Sequence, residues 1–121
     1  MADVRVLVVD DQERFRRAMC AVVEATGGFA VVGAVDSGEA SLVAAEELRP
    51  HLVLMDVQLS GMDGIEASRA LTANPSGPVV VLLSTYDVDE LDATGCGAAA
   101  YVAKAEFGPD RLVRLWREIT G

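Results

Sequence analysis

The chain is short of the residues on which most metalloproteins and hydrolases rely. It has one histidine, His51, and two cysteines, Cys20 and Cys96, far apart and in no metal-ligand spacing. Two cysteines are too few for a disulfide scaffold, so a reducing compartment is the expected setting and both are read as small packed hydrophobes. His51 precedes an apolar run without a partner in sequence and reads as a loop residue rather than a general base. Positive charge is also scarce: ten Lys and Arg against nineteen Asp and Glu leave a net charge of -9. Such a balance opposes direct contact with nucleic acid or an anionic membrane surface. No apolar run approaches the roughly 20 residues of a membrane helix, and MADVRVLVVDD carries no basic segment leading into one. These absences point to a soluble, cytoplasmic protein.

What is present suits one globular domain over residues 1–121: the 121 residues are 51% hydrophobic, enough for one core and too few for a second. Short Val- and Leu-rich runs alternate with stretches of helical periodicity, which predicts an α/β fold, a doubly wound parallel sheet with helices on both faces. The expected strands are Val4 to Val9, Phe29 to Val35, Leu52 to Met55, Val79 to Leu83 and Ala99 to Ala103. A first helix carries Phe15, Ala18, Met19, Val22 and Val23 on one face and ends at Gly27 and Gly28. Asp36 and Glu39 resemble a capping box opening a second helix through Ala40, Val43, Ala44 and Leu48, stopped by Pro50. A third follows the loop from Ser60 to Gly64, and a last one starts at Pro109 with Leu112, Leu115, Trp116 and Ile119 inward. Between Asp87 and Gly97 the helical pattern is weak, because Gly95 and Gly97 interrupt it.

In such a sheet ligands sit beyond the carboxyl ends of the strands. There the first strand presents Asp10 and Asp11, the third Asp56, the fourth Ser84 and Thr85, and the fifth Lys104. Each alone is an ordinary strand-end residue, a turn former or a solvated charge. Their coincidence is what points to chemistry. Three carboxylates brought together repel one another unless a cation binds, and an oxygen-only, partly open set suits Mg²⁺. Asp56 is then a candidate nucleophile toward a phosphoryl group, with Ser84 and Lys104 placed to hold its oxygens.

Four stretches, VRVLVVDDQ, HLVLMDVQLSGMDGIEA, VVVLLSTYD and GAAAYVAK, resemble in order and spacing the receiver domain of two-component response regulators, from about Val4 to Ile119. The resemblance implies a flavodoxin-like sheet of strand order 2-1-3-4-5. It also implies Asp56 as phosphoacceptor, Mg²⁺ held by Asp10, Asp11, Asp56 and the Gln58 carbonyl, Ser84 as switch hydroxyl, Lys104 as its cationic partner and Tyr101 as the aromatic that changes rotamer. By the same resemblance Gln58 and Tyr86 border the phosphoryl site and tune phosphate lifetime. Such a protein is a switch rather than an enzyme with a separate substrate. Its implied partners are a histidine kinase or phosphotransfer protein, a second copy on phosphorylation, and a DNA-binding output domain outside this chain. The output surface is that of the fourth helix, fifth strand and fifth helix.

The chain departs from the family pattern at Ser60 and Ala105, where proline is usual, and in a segment from Ser84 to Lys104 about two residues shorter than usual, which with Gly95 and Gly97 predicts a short or partly unwound fourth helix. Other readings fit less well. A dehalogenase-type phosphatase needs a second acid two residues after its nucleophile, where this chain has Gln58; a flavodoxin-type nucleotide site needs a Gly, Ser or Thr phosphate loop where Asp10 and Asp11 stand. A degenerate receiver acting only as a scaffold is the remaining alternative.

Overall fold

The structure is a computed structural model and describes residues 3–85 and 95–121. Its elements are β1 (Val4–Val9), α1 (Glu13–Glu24), β2 (Phe29–Val35), α2 (Gly38–Leu48), β3 (Leu52–Asp56), α3 (Gly64–Thr72), β4 (Val79–Ser84), β5 (Ala100–Ala103), a 3-10 turn (Lys104–Glu106) and α4 (Pro109–Thr120). The five strands form one parallel sheet in the order β2-β1-β3-β4-β5, as expected. The weak helix expected between Asp87 and Gly97 falls mostly in residues 86–94, outside the described residues. Gly95 and Gly97 beyond it adopt left-handed φ values of 75° and 82°.

Both faces of the sheet are covered, and the two-residue period of each strand divides its side chains between them. Leu7, Val9, Val53, Met55, Val80 and Leu82 join the core under α2 and α3. Val6, Val8, Leu52, Leu54, Val81 and Leu83 join the core under α1 and α4. Val6–Val9 of β1, Leu52–Met55 of β3 and Val80–Leu83 of β4 are buried on both faces and read as unbroken apolar runs, with Arg5 at the open end of β1 the exception.

Helix ends differ from the expected ones in detail. The N-cap of α2 is Ser37, whose hydroxyl accepts from the Ala40 N–H at 3.0 Å, not Asp36. Glu39 instead accepts from the Met62 N–H at 3.3 Å, tying α2 to the loop after β3. This helix runs to Leu48, as expected from Pro50; Arg49 caps it in a left-handed conformation at φ 49°, and the Arg5 guanidinium donates to the Arg49 carbonyl at 2.9 Å and to that of Leu48. Likewise α1 ends at Glu24, before Gly27; the Thr26 hydroxyl bonds the Val22 carbonyl at 2.6 Å and Gly28, at φ 88°, turns the chain into β2. Two large side chains expected on inward faces are exposed, Phe15 at 37% and Val43 at 58%, and Ala18 beside Phe15 is exposed as well. His51 sits at the opposite end of the sheet from the strand-end acids, its Nδ1 accepting the Arg5 N–H at 3.0 Å.

Candidate functional site

Register carries the acids together. Val9 pairs with Met55 and Asp56 with Leu83, so Asp10, Asp56 and Ser84 stand at neighbouring positions on three adjacent strands. Carboxylate oxygens of Asp10, Asp11 and Asp56 all lie within 4.8 Å of one another. Asp10 is fully buried; its Oδ1 accepts the Gln12 N–H at 2.9 Å and its Oδ2 accepts from Lys104 Nζ at 2.9 Å. Asp56 is 4% exposed, with Oδ1 accepting the Gln58 N–H at 3.1 Å and Oδ2 accepting from Lys104 Nζ at 3.1 Å. Asp11 is exposed and accepts from the Ser60 hydroxyl at 3.3 Å, so the residue standing where proline is usual contributes a polar group to the site.

Burial pushes the Asp56 carboxyl above its ordinary range; the Gln58 N–H and the Lys104 ammonium pull the other way, and Asp10 adds to the rise. The ionised carboxylate is therefore less stabilised than in water, which keeps it basic. The ammonium of Lys104 bridges Asp10 and Asp56 and lies over the Phe15 ring, 4.1 Å from its centroid. Ala105 follows in the 3-10 turn, and the described residues contain no cis peptide bond.

An open cleft of about 640 Å³ fronts the acids, lined among others by Asp11, Asp56, Gln58, Ser60, Thr85 and Lys104. Thr85, not Ser84, faces it: Ser84 is 1% exposed at the end of β4. Tyr101 stands on β5 away from this cleft, half-exposed, with its hydroxyl 3.4 Å from Cys96 Sγ. That contact and partial burial push its hydroxyl up to about 12. Tyr86 lies outside the described residues. The structure thus brings Asp10, Asp11, Asp56, Gln58 and Lys104 together and leaves Ser84 buried behind the cleft and Tyr101 outside it.

Three participants had no sequence signal. Phe15 looked like a core residue of α1. Arg16 donates from Nη1 to the Asp10 carbonyl at 2.9 Å, bracing the end of β1. Gly64 packs so tightly that an added Cβ would lie 2.2 Å from the Asp56 carbonyl oxygen and 2.8 Å from Val57 Cα. Its N–H donates to the Val57 carbonyl at 2.9 Å, closing the loop that follows Asp56.

The donor set fits a hard divalent cation: three carboxylates converge, two of them shielded from water, and the metal-ligating cluster among the described residues contains neither imidazole nor thiolate. Among the described residues no helix is long and apolar enough to cross a membrane.

Comparison with known proteins agrees with this geometry. The family model of the response regulator receiver domain matches residues 6–117. The response regulator GacA of Pseudomonas protegens is 39% identical over 116 residues, covering 94% of this chain and 54% of GacA. A protein-glutamate methylesterase/protein-glutamine glutaminase of a Nocardioides species is 40% identical over 108 residues, 86% of this chain and 30% of that protein. The chain therefore spans about half or less of the length of these relatives. Among solved structures, the NarL signal receiver domain of Mycobacterium tuberculosis superposes with a TM-score of 0.90 at 28% identity, covering 100% of this chain and 99% of that one. Sheet order, the acidic cluster at its carboxyl edge and these matches agree that the chain belongs to the response regulator receiver domain family.

Proposed function

We propose that this domain is a phosphorylation-dependent switch in which Asp56 accepts a phosphoryl group. The observation that carries the reading is the convergence of Asp10, Asp11 and Asp56, two of which, Asp10 and Asp56, are bridged by the Lys104 ammonium. An oxygen of Asp56 attacks phosphorus as the bond to the donor breaks; with a phosphohistidine donor the P–N bond is lost and the freed imidazole takes a proton from solvent. Asp10, Asp11, Asp56 and the Gln58 carbonyl are the groups that would hold Mg²⁺. The ion, when bound, neutralises charge on the phosphoryl oxygens and on the acids themselves.

Lys104 already sits on an Asp56 oxygen and is placed to meet phosphoryl charge there. Ser84 and the cleft-lining Thr85 supply hydroxyls beside it, and Gln58 borders the path by which water would reach the acyl phosphate; Tyr86 is assigned the same role by resemblance. The added charge, near -2, rearranges Ser84 and Tyr101 and biases the surface around β5 and α4 toward a second packing. The source of the phosphoryl group is a histidine kinase or phosphotransfer protein in the cytoplasm. The output lies in a partner, a second copy or a domain outside these residues, as the greater length of the relatives suggests.

The test is intact-mass analysis after incubation with acetyl phosphate and Mg²⁺. One phosphoryl adduct in the wild type, absent from Asp56→Ala and from a chelated sample, supports the reading. No adduct in the wild type would leave the scaffold alternative in its place.

A further inference from the structure

Phe15 does not pack as a core residue. It stands in the first turns of α1, is 37% exposed, and belongs to neither group of side chains that fills the two faces of the sheet. Leaving that much aromatic surface in water forgoes hydrophobic stabilisation. What the ring does contact is a charge: Lys104 Nζ lies 4.1 Å from its centroid, with the lysine side chain only 11% exposed. Phe15, with Thr85 and Lys104, lines both the acidic cleft and an adjoining apolar groove bounded by Ala18, Met19, Val22 and Phe107, so the ring stands where the two meet.

We propose that Phe15 is a positioning residue for phosphoryl recognition, its ring face holding the Lys104 ammonium at the cleft when the carboxylate contacts of that ammonium weaken. The proposal rests on the phosphoacceptor reading above. The ammonium has three anchors: Asp10 Oδ2 at 2.9 Å, Asp56 Oδ2 at 3.1 Å and the ring. A divalent cation among the acids would compete for the first two, and phosphorylation of Asp56 would engage one of its oxygens in the bond to phosphorus and remove the carboxylate charge. The quadrupole of the ring is unaffected by either event, and an ammonium over an aromatic face is attracted most where water is excluded. Held there, Lys104 needs no search among rotamers to meet the phosphoryl oxygens, which lowers the entropic cost of using a long flexible side chain.

Lys104 is the only lysine in the chain, so lysine labelled with ¹³C and ¹⁵N reports on it without assignment. Phe15→Leu keeps apolar bulk and removes the π face; Phe15→Tyr keeps the face. In the wild type and Phe15→Tyr the Lys104 Cε protons should show an upfield ring-current shift, lost in Phe15→Leu. Binding of beryllofluoride with Mg²⁺, followed by ¹⁹F NMR, should weaken roughly three- to tenfold in Phe15→Leu and remain near wild type in Phe15→Tyr. In a Lys104→Met background, Phe15→Leu should then add nothing. A merely structural role predicts instead that Leu and Tyr behave alike. Equal beryllofluoride affinity in wild type and Phe15→Leu would overturn the proposal while leaving the phosphoacceptor reading intact. Absence of beryllofluoride binding by the wild type would overturn both, whatever the lysine spectra show.

Discussion

Lys104→Met keeps most of the side-chain length and removes its charge from between two buried carboxylates. At about 3 Å and an effective dielectric near 20, each contact represents roughly 5 kcal/mol of raw attraction, most of it offset by the desolvation of the charges involved. The relevant cost is that of leaving Asp10 and Asp56, 0% and 6% exposed at their side chains, without their cation. Removing one partner of a buried pair typically destabilises by about 3–5 kcal/mol, a large share of the roughly 5–15 kcal/mol that holds a domain folded. Urea unfolding at pH 7 in chelator measures it. Trp116, the only tryptophan, packs edge-on to Phe29 with centroids 6.4 Å apart and reports loss of tertiary packing by its fluorescence. With a slope of roughly 2 kcal/mol per molar urea, the midpoint should fall by about 2 M. Adding Asp56→Asn to the variant, or adding Mg²⁺ to the buffer, should recover part of the loss, since each removes uncompensated negative charge. A loss below about 1 kcal/mol, or a double variant no more stable than Lys104→Met alone, would refute the view that Lys104 neutralises these acids.

Further outcomes follow from single contacts. Because the folded Asp56 carboxyl binds its proton more tightly than the unfolded one, stability is lost as pH rises from the ordinary carboxylate value through the raised one; Asp56→Asn should therefore be more stable than wild type at pH 7, with the gap closing in acid, and a variant less stable at pH 7 contradicts the sign. Gly64→Ala drives a methyl group into the Asp56 carbonyl and Val57 Cα, both backbone, so calorimetry should show Tm lowered by roughly 5–15 °C; a change under about 2 °C would mean the loop relaxes freely. Cys96→Ala, read by tyrosinate absorbance in a Tyr86→Phe background, should move the ionisation of Tyr101 from about 12 toward the ordinary 10, and an unmoved titration would show that the thiol is not its cause.

Much of the site was legible because it depends on strand ends, and strand ends are marked wherever an unbroken apolar run meets an acid or a hydroxyl. LVLMD and VVVLLS are such cases, and the last residue of each proved still to be in the strand. The Asp36–Glu39 spacing pointed to Asp36 as the cap of α2, yet Ser37 makes the bond, because Glu39 is taken up by the Met62 N–H of a loop distant in sequence. The end of α2 at Leu48 was legible from Pro50, but the bonds from Arg5, more than forty positions earlier, that satisfy its last carbonyls were not, since no local reading reveals them. Phe15 and Val43 show the limit of periodicity: both fit an apolar helical spacing, yet α1 and α2 turn those positions away from the sheet. Gly64 resembled any loop glycine, because the close backbone approach that requires it exists only once β3 and α3 are packed.

The most direct measurement is chemical location of the phosphoryl group. Protein incubated with acetyl phosphate and Mg²⁺ is treated with borohydride, which reduces an acyl phosphate to the alcohol, and the peptides are then mapped by mass spectrometry. The expected result is homoserine at position 56 and at no other aspartate, dependent on Mg²⁺. Reduction at a different carboxylate, or a phosphoryl adduct that resists borohydride, would contradict the assignment of Asp56 as the acceptor.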